Sequence, residues 1–520
     1  MSVRNALVLF LALCTLTLLV ACGGSSSPKA TPPPSGGFSA SDLNGTYVFS
    51  STGADSTTGG TLAIVGTFVA NGSGGITGGT VDIVGVDVTL PTPVAQAISG
   101  GSYTVGVDGR GQASLSSSAG NFTLDFVLSS GSHGLVTLYD SNGTGSGTLD
   151  LQTAVTSLSQ LAGPYALSLA GIDTNGASLA TAGAFTLNST GTTTAAGVED
   201  FNDAGIPLTN ESLTAAATLG SGTGPGTIIL TTNFGVLTFD FYPIDATHLK
   251  FIETDFTNIL AGDVFSQTGA SIPAGSMVFT MAGGTQASGP IGVGGIMTSD
   301  GTGNFTGGLE DINDNGTVVA QVPFTGTAVG AASVGGRVQV TLNGFAPATQ
   351  WTIYPSSGGL LMLETDASTV TSGAGYAQTS TAFAASAGYG LNLGAFNTSG
   401  GFEEDDIAEF TTTTTGFSGI VDINDDASLS PGQALTGTYT APDATGRGTA
   451  TTTEHGNAFV SYVFYSVDGS NFLLLETDTN QIGTGAFETQ STPSAAVANH
   501  VVSMVRPAVH SHGALRRRTK

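Results

Sequence analysis

The sequence predicts an all-β protein made of four tandem antiparallel units, each about 112 residues long. The first observation is a repeated phrase, an apolar run ending in Glu-Thr-Asp that is followed by a glutamine. The second is that short apolar stretches alternate with turns rich in Gly, Asn, Asp and Thr, a pattern typical of strands and tight turns. The phrase occurs at residues 249–255 with Gln267, 360–366 with Gln378 and 472–478 with Gln490, and in weaker form at 134–140 with Gln152.

Each unit contains seven to nine predicted strands and no convincing helix. It opens with a Gly-x-aromatic or Gly-x-Met strand, as at residues 45–49 and 275–281. Because the connections are short, neighbours in sequence should pair as an antiparallel meander. Closing such a meander into a small up-and-down barrel removes its unpaired edges, so we expect barrels. A β-sandwich and propeller-like blades are the alternatives.

The repeats set the predicted domain organisation. A signal peptide covers 1–21, a lipid anchor and flexible tether 22–42, the four β repeats 43–152, 161–267, 273–378 and 385–490, and a basic disordered tail 491–520.

The strand at residues 472–475 carries information about packing between units. Phe472 and Leu474 point to one face and Leu473 and Leu475 to the other, so both faces are apolar. A barrel strand exposed to water would be polar outside. We therefore expect the outer face to be covered, and the units to pack together and not to swing freely.

Charge is distributed unevenly along the chain. All 38 acidic residues except Asp42 lie between Leu43 and Gln490, together with only four of the 11 basic residues. An acidic body repels phosphate backbones, so nucleic acid is excluded as a partner of the repeats.

The amino terminus has the features of an export signal. Arg4 precedes an apolar run at residues 6–20, which is short for a membrane span, and Leu19-Val20-Ala21-Cys22 follows. These four residues resemble the lipobox of bacterial lipoproteins. The resemblance implies that Cys22 is acylated after cleavage just before it; Cys14 lacks the small preceding residue. It also implies membrane attachment through Cys22, and the Gly that follows favours the outer membrane or cell surface.

The Asp-x-Asn-Asp segments are the candidate metal site in this sequence. Asp311, Asn313 and Asn315 with Gly316 match the first half of a calcium loop, but Val322 stands where the last glutamate is required. Asn and Asp also favour turns for local reasons, so a structural turn is the preferred interpretation and no metal is assigned.

The repeated Glu-Thr-Asp triplets offer paired carboxyls, which a glycosidase could use as acid and base. Because the triplet recurs at one place in several units, we interpret it as closing a turn. Three of the four units also contain one arginine each, which is available as a counter-charge. The residues concerned are Glu253 with Asp255, Glu364 with Asp366, Glu476 with Asp478, and Arg110, Arg337 and Arg447.

Other catalytic machinery is missing from the sequence. There is no Gly-x-Ser-x-Gly motif, and Cys22 is the one cysteine expected in the mature chain. The histidines at 133, 248 and 455 lie in different repeats at places that do not correspond, and His510 with His512 lies in the tail. Trp351, the single tryptophan, is predicted to be core. We predict no catalytic residue and no cofactor.

Together these features predict an exported, lipid-anchored cell-envelope protein with a structural or adhesion role. Envelope polymers or other surface proteins are the expected partners. A small-ligand or calcium-binding barrel protein is the alternative, and a polysaccharide-acting enzyme is the less favoured third hypothesis.

Overall fold

The computed structural model describes residues 37–491, except 87–94, 221–223, 256, 286–288, 331–332, 346–347, 368 and 455–459. The predicted signal peptide, Cys22, most of the tether and the tail after Ser491 lie outside the described residues. So do His455, His510 and His512.

The all-β prediction is confirmed: the described chain forms four closed eight-stranded barrels and contains no α-helix. Three short 3-10 helices, Ala40–Asp42, Leu158–Leu161 and Val334–Gly336, lie outside the strands. Barrel 1 consists of β1 (Asn44–Asp55), β2 (Thr61–Asn71), β3 (Gly75–Gly85), β4 (Gln96–Val105), β5 (Arg110–Ser117), β6 (Gly120–Leu128), β7 (His133–Asp140) and β8 (Gly143–Leu151). Barrel 2 consists of β9 (Gly163–Ile172), β10 (Ser178–Leu187), β11 (Gly197–Asp203), β12 (Ile206–Thr218), β13 (Gly226–Thr231), β14 (Val236–Pro243), β15 (His248–Glu253) and β16 (Ile259–Ser266).

The other two barrels follow the same plan. Barrel 3 consists of β17 (Ala274–Thr285), β18 (Gly289–Asp300), β19 (Phe305–Asp314), β20 (Thr317–Ala328), β21 (Val338–Asn343), β22 (Thr349–Ser356), β23 (Gly359–Glu364) and β24 (Thr369–Ala377). Barrel 4 consists of β25 (Gly388–Asn397), β26 (Phe402–Thr412), β27 (Gly416–Asp425), β28 (Ser428–Thr440), β29 (Arg447–Glu454), β30 (Ser461–Ser466), β31 (Asn471–Glu476) and β32 (Gln481–Thr489).

Closure of each barrel comes from pairing of its first strand with its eighth. In barrel 1, Phe49 pairs with Leu149, and in barrel 4, Leu391 pairs with Phe487. All other pairs join strands that are consecutive in sequence, so each barrel is an up-and-down meander. This topology excludes the sandwich and propeller alternatives.

Large apolar side chains fill the barrel interiors, because alternate residues of every strand point inward. Trp351 is 2% exposed and belongs to the core of barrel 3, as the sequence predicts. Representative core residues are Phe49, Phe68 and Phe126 in barrel 1, Leu167, Phe201 and Phe239 in barrel 2, Phe279 and Met362 in barrel 3, and Tyr389, Phe464 and Phe472 in barrel 4.

The barrels also pack against one another. The outer face of β31 is covered by barrel 3, since Leu473 and Leu475 lie in one apolar cluster with Val278 and Ile296. This confirms the expectation drawn from the two-sided apolar strand. The partner is the preceding unit.

These contacts close into a ring. The second strand of each barrel packs on late strands of the next: β2 on β14 to β16, β10 on β22 to β24, and β18 on β31 and β32. In the same way, β26 of barrel 4 packs on β6, β7 and β8 of barrel 1. We call the consecutive contacts joint 1/2, joint 2/3 and joint 3/4, and the contact of barrel 4 with barrel 1 the closing joint.

Candidate functional site

The polar motifs found in the sequence meet at the joints. In joint 2/3, Asp200 accepts hydrogen bonds from Arg337 through Nε (2.6 Å) and Nη2 (2.7 Å) and from the Tyr354 hydroxyl. Arg337 and Tyr354 belong to barrel 3, whereas Asp200 lies on the outer face of β11 in barrel 2. All three are buried, so the pair is a desolvated, two-pronged ion pair.

A backbone bulge completes the coordination of Asp200. Asn210 has a positive φ of 62°, which a non-glycine residue adopts at a cost. Its backbone N–H donates to Asp200 Oδ1 at 2.8 Å. The strained backbone of β12 therefore places a fourth donor group on the carboxylate that joins the two barrels.

Joint 3/4 repeats the arrangement with different residues. Asp311 accepts from Arg447 Nε and Nη2, both at 2.8 Å, and from the Tyr465 hydroxyl at 2.6 Å. The backbone N–H of Gln321, where φ is 54°, donates to Asp311 at 3.0 Å. The same chemistry thus links barrels 2, 3 and 4.

The closing joint keeps the arginine but not the tyrosine. Arg110 Nη1 of barrel 1 donates to Asp422 of barrel 4 at 3.0 Å, and the Gly432 N–H donates to Asp422 at 2.5 Å. Val127 pairs with Arg110 as Tyr465 pairs with Arg447, so an apolar residue replaces the tyrosine.

Joint 1/2 keeps the tyrosine but not the arginine. The Tyr242 hydroxyl donates to Asp82 at 2.6 Å, and Pro225, which precedes β13, stands where arginine precedes or opens the fifth strand elsewhere. Burial raises the pKa of Asp82 to about 7, the Tyr242 hydrogen bond opposes the rise, and the neighbouring Asp240 adds to it. Because no arginine in the described ranges contacts Asp82, its charge is less compensated than that of the aspartates at the other three joints.

A second recurring contact joins the Asp-x-Asn motif to the Glu-Thr-Asp turn of the neighbouring barrel. Asn202 Nδ2 donates to the backbone oxygens of Glu364 (2.8 Å), Asp366 (3.2 Å) and Thr369 (2.7 Å). One amide group of barrel 2 therefore contacts three carbonyls in and beside the turn between β23 and β24.

The other joints use the same amide, with one exception. Asn313 donates to Glu476, Asp478 and Gln481, each at 3.0 Å, and Asn424 of barrel 4 donates to the turn after β7 in barrel 1. In joint 1/2, Val84 holds the asparagine position and packs in an apolar cluster.

The repeated glutamine, which marked the period in the sequence, also lies at the joints. Each donates through Nε2 to a backbone oxygen of the next barrel: Gln152 to Pro243, Gln267 to Pro355, Gln378 to Ser466 and Gln490 to Leu128. The last of these returns from barrel 4 to barrel 1. The period in the sequence therefore reflects contacts between units.

These contacts correct the loop interpretation of the Asp-x-Asn segments. Asp311 and Asn313 lie within β19, and only Asn315 and Gly316 form the turn. The carboxylate of Asp311 is directed at Arg447, so its oxygens are occupied where a calcium loop would turn them toward an ion. The described part of the chain contains no group of three or more His, Cys, Asp or Glu arranged to hold a metal.

The Glu-Thr-Asp triplets split into two roles. Glu476 ends β31 and is fully buried on the inward face, whereas Asp478 lies in the following turn and accepts the N–H groups of Asn480 and Gln481, both at 2.8 Å. The turn-closing prediction is confirmed for the aspartate. Burial and a hydrogen bond with Asp478 raise the pKa of Glu476, whereas the arginines pair with the joint aspartates.

The buried glutamates are enclosed by the barrel cores. Burial raises the pKa of Glu199, Glu253 and Glu310 to about 8, since desolvation disfavours the charged form. They are therefore neutral at moderate pH and do not form an acid–base pair open to a substrate.

Two histidines occupy equivalent positions, which corrects the sequence interpretation. His133 and His248 each open the seventh strand of their barrel. Burial lowers the pKa of His133, but the carboxylates of Glu488 and Asp150 outweigh it and raise the pKa to about 10. His133 Nδ1 lies 2.6 Å from Asp150. This histidine is a charged structural partner of the two carboxylates.

A small cavity lies where barrels 1, 3 and 4 meet. Its volume is about 30 Å³, and Thr52, Ser146, Thr280, Ser372 and Thr484 contribute to its lining. That space suits a few water molecules, whereas small-molecule sites measure roughly 300–1,000 Å³.

The fold and the joints define a ring of four tandem up-and-down barrels. The Asp–Arg–Tyr contact is complete in joints 2/3 and 3/4, and the Asn–carbonyl contact occurs in each joint except joint 1/2. No protein-family model and no curated protein matches the chain. One solved structure, titled "Crystal structure of CghA with Sch210972", is 8% identical over 66% of this chain and 95% of that chain, with a TM-score of 0.14. A likeness at that level carries no argument. No helix in the described ranges is long and apolar enough to span a membrane.

Proposed function

We propose that this chain is an exported, lipid-anchored cell-envelope protein whose ring of barrels is a rigid structural or adhesion module. The observation that carries the proposal is the use of the recurring polar residues. The aspartates, arginines, asparagines and glutamines that mark the repeats contact the neighbouring barrel. Assembly of the ring then explains why these residues recur in the repeats, and no substrate is needed to explain them.

The packing of the barrels supports the same function. Aromatic and aliphatic side chains fill the interiors, and each joint adds buried contacts between units. Because each barrel is held at two joints, the closed ring can present its outer surface in a fixed geometry. Such a surface suits attachment to envelope polymers or to other surface proteins.

The sequence before the ring supports attachment to a membrane. The segment Leu19-Val20-Ala21-Cys22 and the Gly-, Ser- and Pro-rich stretch up to residue 42 provide a lipidation site and a tether. Two or three acyl chains hold a protein stably on a bilayer, whereas one is marginal.

Metabolic labelling with a fatty-acid analogue tests the anchor. The intact chain and a Cys14→Ser control should be labelled and sediment with membranes, whereas Cys22→Ser should lose the label and the membrane association. Label retained by Cys22→Ser, or lost from Cys14→Ser, would overturn the anchor.

A sedimentation assay tests the module itself. The purified ring is mixed with envelope material from the producing cells, and the pellet and the soluble products are analysed. We expect the ring to co-sediment without release of sugars or peptides. Product release that Glu476→Gln abolishes would show an enzyme, and failure to sediment would remove the adhesion role.

A further inference from the structure

Strand β26 differs from its counterparts on the inward face. Residues 404 and 406 point into barrel 4 and are Glu and Asp, whereas β2, β10 and β18 carry mainly apolar residues there. The equivalent pairs, taken from the strand register, are Leu62 and Ile64, Leu179 and Thr181, and Ile291 and Val293.

Asp406 is buried without compensation. It is 0% exposed, and neither carboxylate oxygen has a hydrogen-bond partner within the described ranges. The titratable groups around it are all carboxyls or phenols that interact electrostatically with it or with its neighbours. They are Glu404, Asp405, Asp425, Glu476, Asp478, Tyr462 and, from barrel 1, Tyr139. No lysine, arginine or histidine is among them.

An ionised carboxylate in such a place is very costly, and protonation is the simplest relief. Burial, reinforced by the neighbouring carboxylates, raises the pKa of Glu404 to about 7 and those of Asp406 and Glu476 well above their usual range. A metal is the other means of compensation, but the described carboxyls do not form a metal-holding group.

The outward face of the same strand makes the closing joint. Asp405 accepts hydrogen bonds from Thr144 Oγ1 (2.7 Å) and Ser146 Oγ (2.6 Å) of barrel 1. The apolar support is small, because Ile407 packs with only Val127 and Leu135 in the buried cluster. Strand β26 therefore connects the acidic interior of barrel 4 with the closing joint.

We propose that β26 is a proton-dependent latch: the strand stays packed while the carboxyls inside barrel 4 are protonated, and their ionisation displaces it and opens the ring at the closing joint. These acids have folded-state pKa values above their unfolded values. Their stabilising contribution is complete below the ordinary Asp and Glu pKa, near 4, and is lost as pH rises through the raised values. The ring is closed in acid and opens toward alkaline pH.

Hydrogen exchange of the intact chain tests the latch at about pH 5 and pH 8, after correction for the intrinsic pH dependence of exchange. We expect protection of β26 and of β7 and β8 to fall by roughly tenfold or more, because each pH unit between the unfolded and the folded pKa of one such acid shifts the opening equilibrium about tenfold. The matched reference is β10, the second strand of barrel 2, which carries no inward acid of its own and contacts one buried acid, Glu199, through Thr181. Its protection should fall less than that of β26.

Two variants decide the cause. Asp406→Asn keeps the shape, and Asp406→Val introduces the residue that barrel 3 has at Val293; each should remove most of the pH-dependent loss in β26. A fall in β26 no larger than in β10, or one unchanged in Asp406→Asn, would overturn the proposal. Recovery of protection at pH 8 on adding calcium would overturn it too, in favour of a cation site.

Discussion

Joint 2/3 and the closing joint use the same polar motif on different apolar backgrounds. In joint 2/3 a row of alanines on β10 lies against Leu361 and Leu363, and the Arg337–Asp200 pair is buried. In the closing joint β26 presents acidic residues, and the Arg110 side chain is 21% exposed. The comparison teaches that the same Asp–Arg contact occurs in both joints. The difference in stability between the joints is therefore expected to come from the apolar surface around it.

The largest expected difference is between the two arginines. Arg337→Ala leaves Asp200 buried without its cation and should lower the free energy of unfolding by about 3–5 kcal/mol. Arg110→Ala removes one contact to Asp422 from a partly hydrated site and should cost about 1 kcal/mol or less. Denaturant titration of both variants measures this. Equal losses would show that burial does not distinguish the joints.

The asparagines should give smaller and nearly equal effects. Asn202→Ala and Asn424→Ala each leave turn carbonyls of the next barrel without a donor, at a cost of about 1–3 kcal/mol. Hydrogen exchange in the turn after β23 and in the turn after β7 reports the local change. A loss confined to joint 2/3 would mean that the asparagine does not stabilise the closing joint, where the apolar contact is small.

The smallest effect belongs to joint 1/2 and depends on pH. Because the pKa of Asp82 is raised, its contribution to stability is present in acid and is lost as pH rises through about 7. Asp82→Asn should therefore stabilise the protein by about 1 kcal/mol at pH 8 and change little at pH 5.

Asp200→Asn is the control for that variant. It breaks an arginine pair, so thermal unfolding should show a loss of stability at both pH values. If Asp82→Asn also lowered stability at pH 8, the carboxylate of Asp82 would have a cationic partner in solution.

The fold could be predicted because its signals are local. The Gly-x-aromatic openings, the short turns and the repeated glutamine indicated barrels of eight or so strands, and the two apolar faces of β31 indicated packing between units. Local patterns also placed Trp351 in a core.

The joints could not be predicted, because their partners are far apart in sequence. Arg337 lies 137 residues from Asp200, and no spacing shows that the two meet. Gln490 contacts Leu128 across 362 residues, and a tandem repeat does not reveal that its last unit touches its first. The Asp-x-Asn segments were assigned to loops because Asn and Asp favour turns, whereas pairing with β18 holds Asp311 and Asn313 in a strand.

Closure of the ring is most directly tested by a disulfide across the closing joint. A Cβ added at Gly390 of barrel 4 would lie 3.5 Å from the Val127 Cβ of barrel 1, within the range for a disulfide of about 3.5–4.5 Å. The experiment uses Val127→Cys with Gly390→Cys in a Cys14→Ser, Cys22→Ser background, and Ile206→Cys with Gly390→Cys as control. Mild oxidation near pH 6 should give an intramolecular bond, seen as a faster non-reducing band, in the first pair only. Free thiols or intermolecular dimers in that pair would contradict the closed ring.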